Sequence, residues 1–226
     1  MKKKIFKKIA LLLLLLSCFS AVACSQIDNS IIKMVDIKLT EEEYAFVCKK
    51  GNTALAQSMN DFMSEIKANG EFDALVAKYF KGEGEKIGYP IATGDVQNTK
   101  DNFVVATNCP FAPFEYMEND GLIYGLDIEI AASYAESHGL ELVIKNIGFN
   151  DIFVQVDAGY ADIGMAGITV DAEREKTYDF TKPYYEASQK LIVLSGNSDF
   201  DKCESVSDVE AMLSSLNGVG VGFQSA

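Results

Sequence analysis

Between residues 103 and 194 the chain alternates apolar runs of strand length with amphipathic runs of helix length, and this alternation limits the fold more than any other feature. Phe103 to Thr107 reads as a buried strand. Phe114 to Met117 and Leu122 to Gly125 flank Asn119-Asp120-Gly121, a hairpin signal. Asp127 is placed to cap a helix that runs to about His138 and is ended by Gly139. Leu140 to Ile144 is a strand, 150–157 a short helix, Asp162 to Ala166 a strand and Lys190 to Leu194 another. Such a pattern predicts an α/β fold with helices on both faces of a mixed sheet. Ligand sites in these sheets lie at the carboxyl ends of strands, so the loops after Thr107 and Ala166 are the places to look.

The part upstream reads differently. Glu43 to Lys50 alternates as a strand and is closed by Gly51-Asn52. Leu55, Met59, Phe62 and Ile66 then fall on one helix face, with Asn52 or Thr53 as the cap and Asn69-Gly70 as the stop. A second short helix carries Phe72, Leu75, Val76, Tyr79 and Phe80. Residues 81–102 hold four glycines, one proline and little periodicity, which predicts a linker.

The first residues are a targeting segment. Met1 to Lys8 carries five lysines and no acid, and Ile9 to Leu16 is a continuous apolar run. This is the charged start and apolar middle of an export signal, too short for a spanning helix of roughly 20 residues. Ala21-Val22-Ala23-Cys24 resembles the lipobox of bacterial lipoproteins, with Ala21 where leucine is usual. Cys24 would then be the lipidated first residue after a signal of residues 1–23, followed by a tether to residue 42. Leu15-Leu16-Ser17-Cys18 is a rival, and an ordinary secretory signal leaving Cys24 unmodified is a third reading. Removal of 1–23 leaves 15 basic against 33 acidic residues, a formal charge of −18. So acidic a chain repels nucleic acid and anionic headgroups, and neither is expected as a partner. About 200 mature residues suffice for one domain or two small lobes. Cys48, Cys109 and Cys203 are an odd number with no CxxC pair, which argues against a disulfide framework or a zinc knuckle and leaves a Cys48–Cys109 bond open. The one histidine, His138, reads as an exposed helix end that suits the dipole. No catalytic residue, metal or cofactor is expected.

The stretch Gly164-Met165-Ala166-Gly167-Ile168-Thr169-Val170-Asp171-Ala172-Glu173-Arg174 reads as a strand, a glycine turn and a helix start with one arginine. Free backbone N–H groups near Thr169 and a guanidinium fork five residues on make a carboxylate site. The alternative is an exposed helical arginine paired with Glu173 or Glu175. The loop Thr107-Asn108-Cys109-Pro110-Phe111-Ala112-Pro113-Phe114-Glu115-Tyr116 is aromatic and held by two prolines, and Phe149 opens another strand-end loop. Such rings would pack the apolar stem of a small carboxylate ligand, although each taken singly is as well read as core.

ATNCPFAPFEY, GLIYGLDIEIA, IGFNDIF and ADIGMAGITVDAEREKTYDFTKPYY follow one another over 103–194. Together they resemble the solute-binding proteins of polar amino-acid ABC importers (family 3), in that family's order and spacing. The resemblance implies a periplasmic-binding-protein-like (type II) lobe. It implies that Arg174 and the Thr169 N–H bind the ligand's α-carboxylate, and that the Thr169 hydroxyl and the Gly167 region receive its α-ammonium. Phe111 and Phe149 would enclose the side chain, with Phe114 and Ala166 completing the ligand-binding set. Asn108 stands where many members carry aspartate, which disfavours a cationic ligand. The implied partners are a polar amino acid and a membrane permease, with a lipid anchor on the extracytoplasmic face of a bacterial cell and a monomeric state.

Residues 43–80 resemble the family's C-terminal tail, here placed first. Either the gene is circularly permuted, with 81–102 joining old end to old start, or the tail is the remnant of a tandem copy. Residues 195–226 resemble the start of the second lobe, with Val219, Val221 and Phe223 as a strand face. The run Gly218-x-Gly220-x-Gly222 is not a dinucleotide fingerprint, because no helix follows. The second lobe is thus expected to be only begun, with strands near Leu194 and Tyr44 as the hinge crossings. The rival expectations are a single lobe that binds nothing tightly, a same-fold dehydratase-like enzyme, or a receptor sensor domain.

Overall fold

The structure is a computed structural model that describes residues 31–94 and 96–222. The expected signal, Cys24, Cys18 and Phe223 lie outside these residues. Its centre is a five-stranded mixed sheet. The central strand β4 (Asn102–Thr107) pairs in parallel along its whole length with β7 (Glu141–Asn146) and in parallel with β8 (Ile163–Gly164). Strand β3 (Val47–Lys49) enters from the upstream segment and lies antiparallel between β8 and β9 (Tyr178–Phe180).

The pleat sends alternate residues to opposite faces, and both faces are covered. Phe46, Cys48, Phe103 and Val105 point to one side. There they meet α1 (Thr53–Ala68), α2 (Glu71–Val76) with the π-helical turn Ala77–Lys81, and α3 (Leu126–Ser137). Val47, Val104, Ala106 and Val143 point to the other, against Ile152, Phe153 and Val156 of α4 (Phe149–Ala158). Helix α1 forms as its periodicity predicts: Met59, Phe62, Met63 and Ile66 are buried, and the Asn52 side chain accepts from the Leu55 N–H at 3.4 Å. Burying each such side chain stabilises by about 1.5–3 kcal/mol.

Three readings of the sequence change. The strand expected over Glu43 to Lys50 is two strands. β2 (Glu42–Tyr44) pairs with β10 (Tyr185–Ala187), and only then does β3 join the main sheet. At the bend the Phe46 N–H donates to Thr181 Oγ1 at 3.0 Å and the Phe46 carbonyl accepts from the Thr181 N–H at 3.0 Å, so a side chain holds the change of sheet. The tether is structured from residue 32. β1 (Ile32–Met34) pairs antiparallel with β11 (Ile192–Leu194), and Val35, Ile37 and Leu39 pack on Phe200 and on Val209 of α6 (Val206–Ser215). The linker is partly paired as well: Tyr89 exchanges two backbone bonds of 2.9 Å with Ile123 of the hairpin β5 (Tyr116–Met117) and β6 (Ile123–Tyr124), and the Ala92 N–H donates to the Ile144 carbonyl at 2.8 Å.

The β1–β11 ribbon and α6 make a small cluster separate from the main core. Val219 and Val221 are exposed and in no strand, unlike the strand face expected of them. Cys48, Cys109 and Cys203 are free thiols, which closes the question of a Cys48–Cys109 bond. Among the described residues no helix is long and apolar enough to cross a membrane.

Candidate functional site

The chain leaves β8 and turns at Gly167, whose φ of +52° lies in the left-handed region. A Cβ there would sit 2.5 Å from Cε1 of Phe111, so glycine is needed for conformation and for space. Beyond the turn the backbone runs antiparallel to β2. The Ala45 N–H donates to Ile168 (3.0 Å) and the Val170 N–H to Glu43 (2.9 Å), with Tyr44 facing Thr169 between them. In that register the facing residues exchange no bonds, so the Thr169 N–H is turned away from Tyr44.

Arg174 opens the short helix α5 (Arg174–Thr177), and its own N–H and that of Glu173 are held by Asp171 Oδ1 at 2.8 and 2.9 Å. The side chain folds back: Nη1 donates to the Thr169 carbonyl at 2.9 Å, and Nε pairs with Asp171 Oδ2 at 3.3 Å. Neither contact uses Nη2. The guanidinium carbon lies 5.4 Å from the Phe149 ring and 5.2 Å from the Phe153 ring, within cation–π range. Arg174 is therefore not the exposed helical residue of the alternative reading. Glu173 pairs with Lys176 instead, at 2.5 Å.

The other expected residues divide into those that face this turn and those that support it. Phe111 is half-buried against Gly167, and Phe149 is half-buried beside Arg174. Phe114 is buried, stacks behind Phe111 at 5.4 Å and meets the Tyr44 ring edge-on at 5.3 Å. Ala166 is buried in the core beneath the turn. Asn108 lies after β4 and spends its amide N–H on the Ile147 carbonyl at 2.6 Å, tying two strand ends together. The Thr169 hydroxyl donates to Glu42 Oε2 at 3.1 Å.

Two buried acids were not foreseen as part of the site. Asp127 does not cap its helix. Gly125 is the N-cap, with a φ of 143° that lets its backbone pass against the Phe114 carbonyl. Asp127 is instead fully buried, accepting from the Gly167 N–H (3.0 Å) and the Tyr184 hydroxyl (2.6 Å). Burial pushes its carboxyl up to about 7, while these two bonds pull the other way. Glu115 is also fully buried, and neither of its carboxyl oxygens has a hydrogen-bond partner. Burial, and then the charge of Asp127, hold it well above the usual carboxylate range. The available signal was an acid inside an apolar helical run, in GLDIEIA, which suggests a buried partner as readily as a cap. His138 is exposed, stacks on Tyr134 at 4.1 Å and bonds only around the end of its helix and to Ser58. Among the described residues no group of acids, cysteines and histidine is arranged to hold a metal.

The arrangement is one arginine with unused donor capacity, a turn with an outward N–H, and two flanking rings: the parts of an anion site with an apolar wall. Residues 103–218 match a family model described as bacterial extracellular solute-binding proteins, family 3. A "probable histidine-binding protein" of Neisseria gonorrhoeae is 30% identical over 148 residues, covering 66% of this chain and 50% of that protein. The arginine-binding extracellular protein ArtP of Bacillus subtilis is 29% identical over 96 residues, 42% of this chain and 37% of its own. Among solved structures, substrate-binding domain 2 of GlnP from Lactococcus lactis has 32% identity and a TM-score of 0.36, covering 41% of this chain and 40% of that one. The chain thus spans half or less of the length of these relatives.

Proposed function

Because this chain belongs to the bacterial extracellular solute-binding proteins, family 3, we propose that it binds a polar amino acid outside the cytoplasmic membrane and hands it to an ABC-type permease. The observation that carries this is Arg174, folded onto Thr169 with Nη2 uncommitted, above a turn whose Thr169 N–H faces outward. A carboxylate placed there receives two charge-assisted bonds from one fork and one from the backbone. Phe111 and Phe149 stand where the ligand's side chain would lie, and Phe114 and Ala166 hold that wall from behind. Asn108 keeps its amide oxygen for a polar ligand end. In this reading residues 103–194 are the ligand-binding core and 43–80 a displaced C-terminal tail that completes it, supported by β3 lying between β8 and β9. Residues from 195 on, with α6, are the start of a second lobe that follows the β1–β11 ribbon. Cys24 carries the lipid that keeps the protein at the membrane.

The protein is read as a binder and not a catalyst. His138 touches none of the turn residues, and turnover of prephenate would overturn this part. The direct test is calorimetric titration of the chain with L-histidine, L-arginine and L-glutamine, before and after Arg174→Ala. Removing the fork is expected to weaken binding of every amino acid that binds by about a hundredfold or more, since a charge-assisted bond to a carboxylate contributes about 1.5–3 kcal/mol and this site loses two. Undiminished affinity in Arg174→Ala would rule out the carboxylate assignment.

A further inference from the structure

We infer that Asp127 is a positioning residue of the ligand site: its ionised carboxylate pins the turn at Gly167 against the aromatic wall, and a proton on it loosens that turn, so that ligand affinity follows pH. The inference rests on the amino-acid reading above and adds to it a residue that itself touches no ligand. Asp127 is tied to both halves of the site. Its N–H donates to the Phe114 carbonyl at 3.1 Å, and its Oδ2 accepts from the Gly167 N–H at 3.0 Å. Its Oδ1 accepts from the Tyr184 hydroxyl at 2.6 Å, and the Tyr184 N–H donates to the Tyr44 carbonyl at 2.9 Å. One residue thus joins the loop of Phe111 and Phe114, the turn that leads to Thr169, and the segment that follows β9.

The bonds suit the ionised form. A backbone N–H can only donate, so a proton on Oδ2 would set donor against donor. A proton on Oδ1 would turn the Tyr184 hydroxyl into an acceptor and leave Oδ2 neutral, with a bond to Gly167 about half as strong. The proton of the buried pair belongs to Glu115. Glu115 lies close by, since a Cβ on Gly125, two residues before Asp127, would sit 2.8 Å from the Glu115 Cα. It is fully buried and neither carboxyl oxygen has a hydrogen-bond partner, so its charged form is the costlier of the two. Burial, and then the charge of Asp127, hold it well above the usual carboxylate range, while Asp127 is raised by burial to about 7 and titrates near neutrality.

The groups around the two acids leave this role to Asp127. Burial raises the Tyr44 hydroxyl of β2 and the Cys109 thiol to about 12 and the Tyr184 hydroxyl well above its ordinary value, so all three stay neutral where Asp127 titrates. Glu42 acts on Tyr44 and is not among the charges acting on either acid. Glu129, two residues along α3, is committed to Lys78, the Tyr79 hydroxyl and the Ile87 N–H. Among the described residues no lysine or arginine is salt-bridged to Asp127 or Glu115. His138 sits at the other end of α3 and bonds only around that end and to Ser58.

The test titrates the 226-residue chain with L-arginine and L-glutamine, whose own charges hold steady between pH 6 and pH 8, on either side of the Asp127 value of about 7. Affinity by calorimetry is expected to be about 3–10-fold weaker at pH 6 than at pH 8, the range for a charge-assisted bond exchanged for a neutral one. The thermal midpoint is expected to move the other way and be higher at pH 6, a divergence that a residue acting on stability alone would not produce. Asp127→Asn, which keeps a neutral acceptor for the Gly167 N–H, is expected to bind at both pH values as the wild-type chain does at pH 6. Glu115→Gln, an amide in place of the protonated acid, is expected to keep the slope. In amide spectra of the ligand-free wild-type chain the Gly167 N–H is expected to shift with a midpoint near 7. Equal affinity of the wild-type chain at the two pH values, a slope kept in Asp127→Asn or lost in Glu115→Gln, or a Gly167 N–H that does not titrate would each overturn the inference and leave the amino-acid reading standing. Binding of neither amino acid at either pH overturns that reading, and the role of Asp127 in it.

Discussion

Gly167 is constrained in three ways, which leave no room for a side chain or a change of backbone. Its φ is +52°, the Phe111 ring lies where a Cβ would be, and its N–H is committed to Asp127 at 3.0 Å. Gly167→Ala is expected to cost about 1–3 kcal/mol of stability, from the left-handed backbone and from displacement of Phe111. A urea melt would measure it, and an unchanged midpoint would mean the turn relaxes freely. The glycine and Arg174 were legible in the sequence because both lie within one continuous eleven-residue stretch. Asp127 was not: its bond to Gly167 spans 40 positions, and an aspartate at a helix start has a local explanation that competes with the distant one. Glu115 was passed over for the same reason, since its burial is a property of the packed loop and not of FEY as a string.

At the scale of elements, the upstream helices dock through one buried acid of α3. Glu129 pairs with Lys78 at 2.6 Å, accepts from the Tyr79 hydroxyl and also accepts from the Ile87 N–H at 3.2 Å. Three partners from the 77–87 stretch thus converge on one side chain that is itself buried. Glu129→Ala would leave Lys78, only 17% exposed, without its counter-charge. The expected loss is about 3 kcal/mol, as for other buried pairs broken on one side, read from the denaturation midpoint. A loss below about 1 kcal/mol would mean that α2 and its π-helical turn are held by apolar packing alone. Periodicity found α1 and α3 because a 3.6-residue repeat is set by neighbours in the chain. It could not find the break between β2 and β3, because EYAFVCKK alternates without interruption and the bend is imposed by Thr181 from elsewhere.

For the whole molecule the two buried carboxyls set a dependence on pH. Asp127 is raised from 3.8 to about 7, and Glu115 is raised well above 4.5. A raised acid is the unfolded chain's easier group to ionise. Its contribution to stability is complete below about pH 4 and is lost as pH climbs through the folded-state value near 7. The carboxyls held below 3.8, Asp36, Asp120, Asp179 and Asp208, act in the opposite direction and below pH 4, so the two windows do not overlap. Thermal melts are therefore expected to show stability falling from pH 5 to pH 8, and Glu115→Gln is expected to flatten the slope. Parallel profiles for wild type and variant would show that Glu115 takes no part.

The place of β3 in the middle of the sheet has a consequence for how the chain comes to be folded. Phe46, at the head of that strand, bonds to Thr181, 135 positions further on. Until residues 163–180 exist in the same compartment, β3 lacks both of its neighbours, β8 and β9, and the sheet face that α1 packs on is incomplete. Contacts this distant in sequence slow the search for the native state, because the loop must close before any of them forms. The segment synthesised first is thus among the last to be fastened, and a partly made chain holds Met59, Phe62 and Ile66 with nothing yet to cover them.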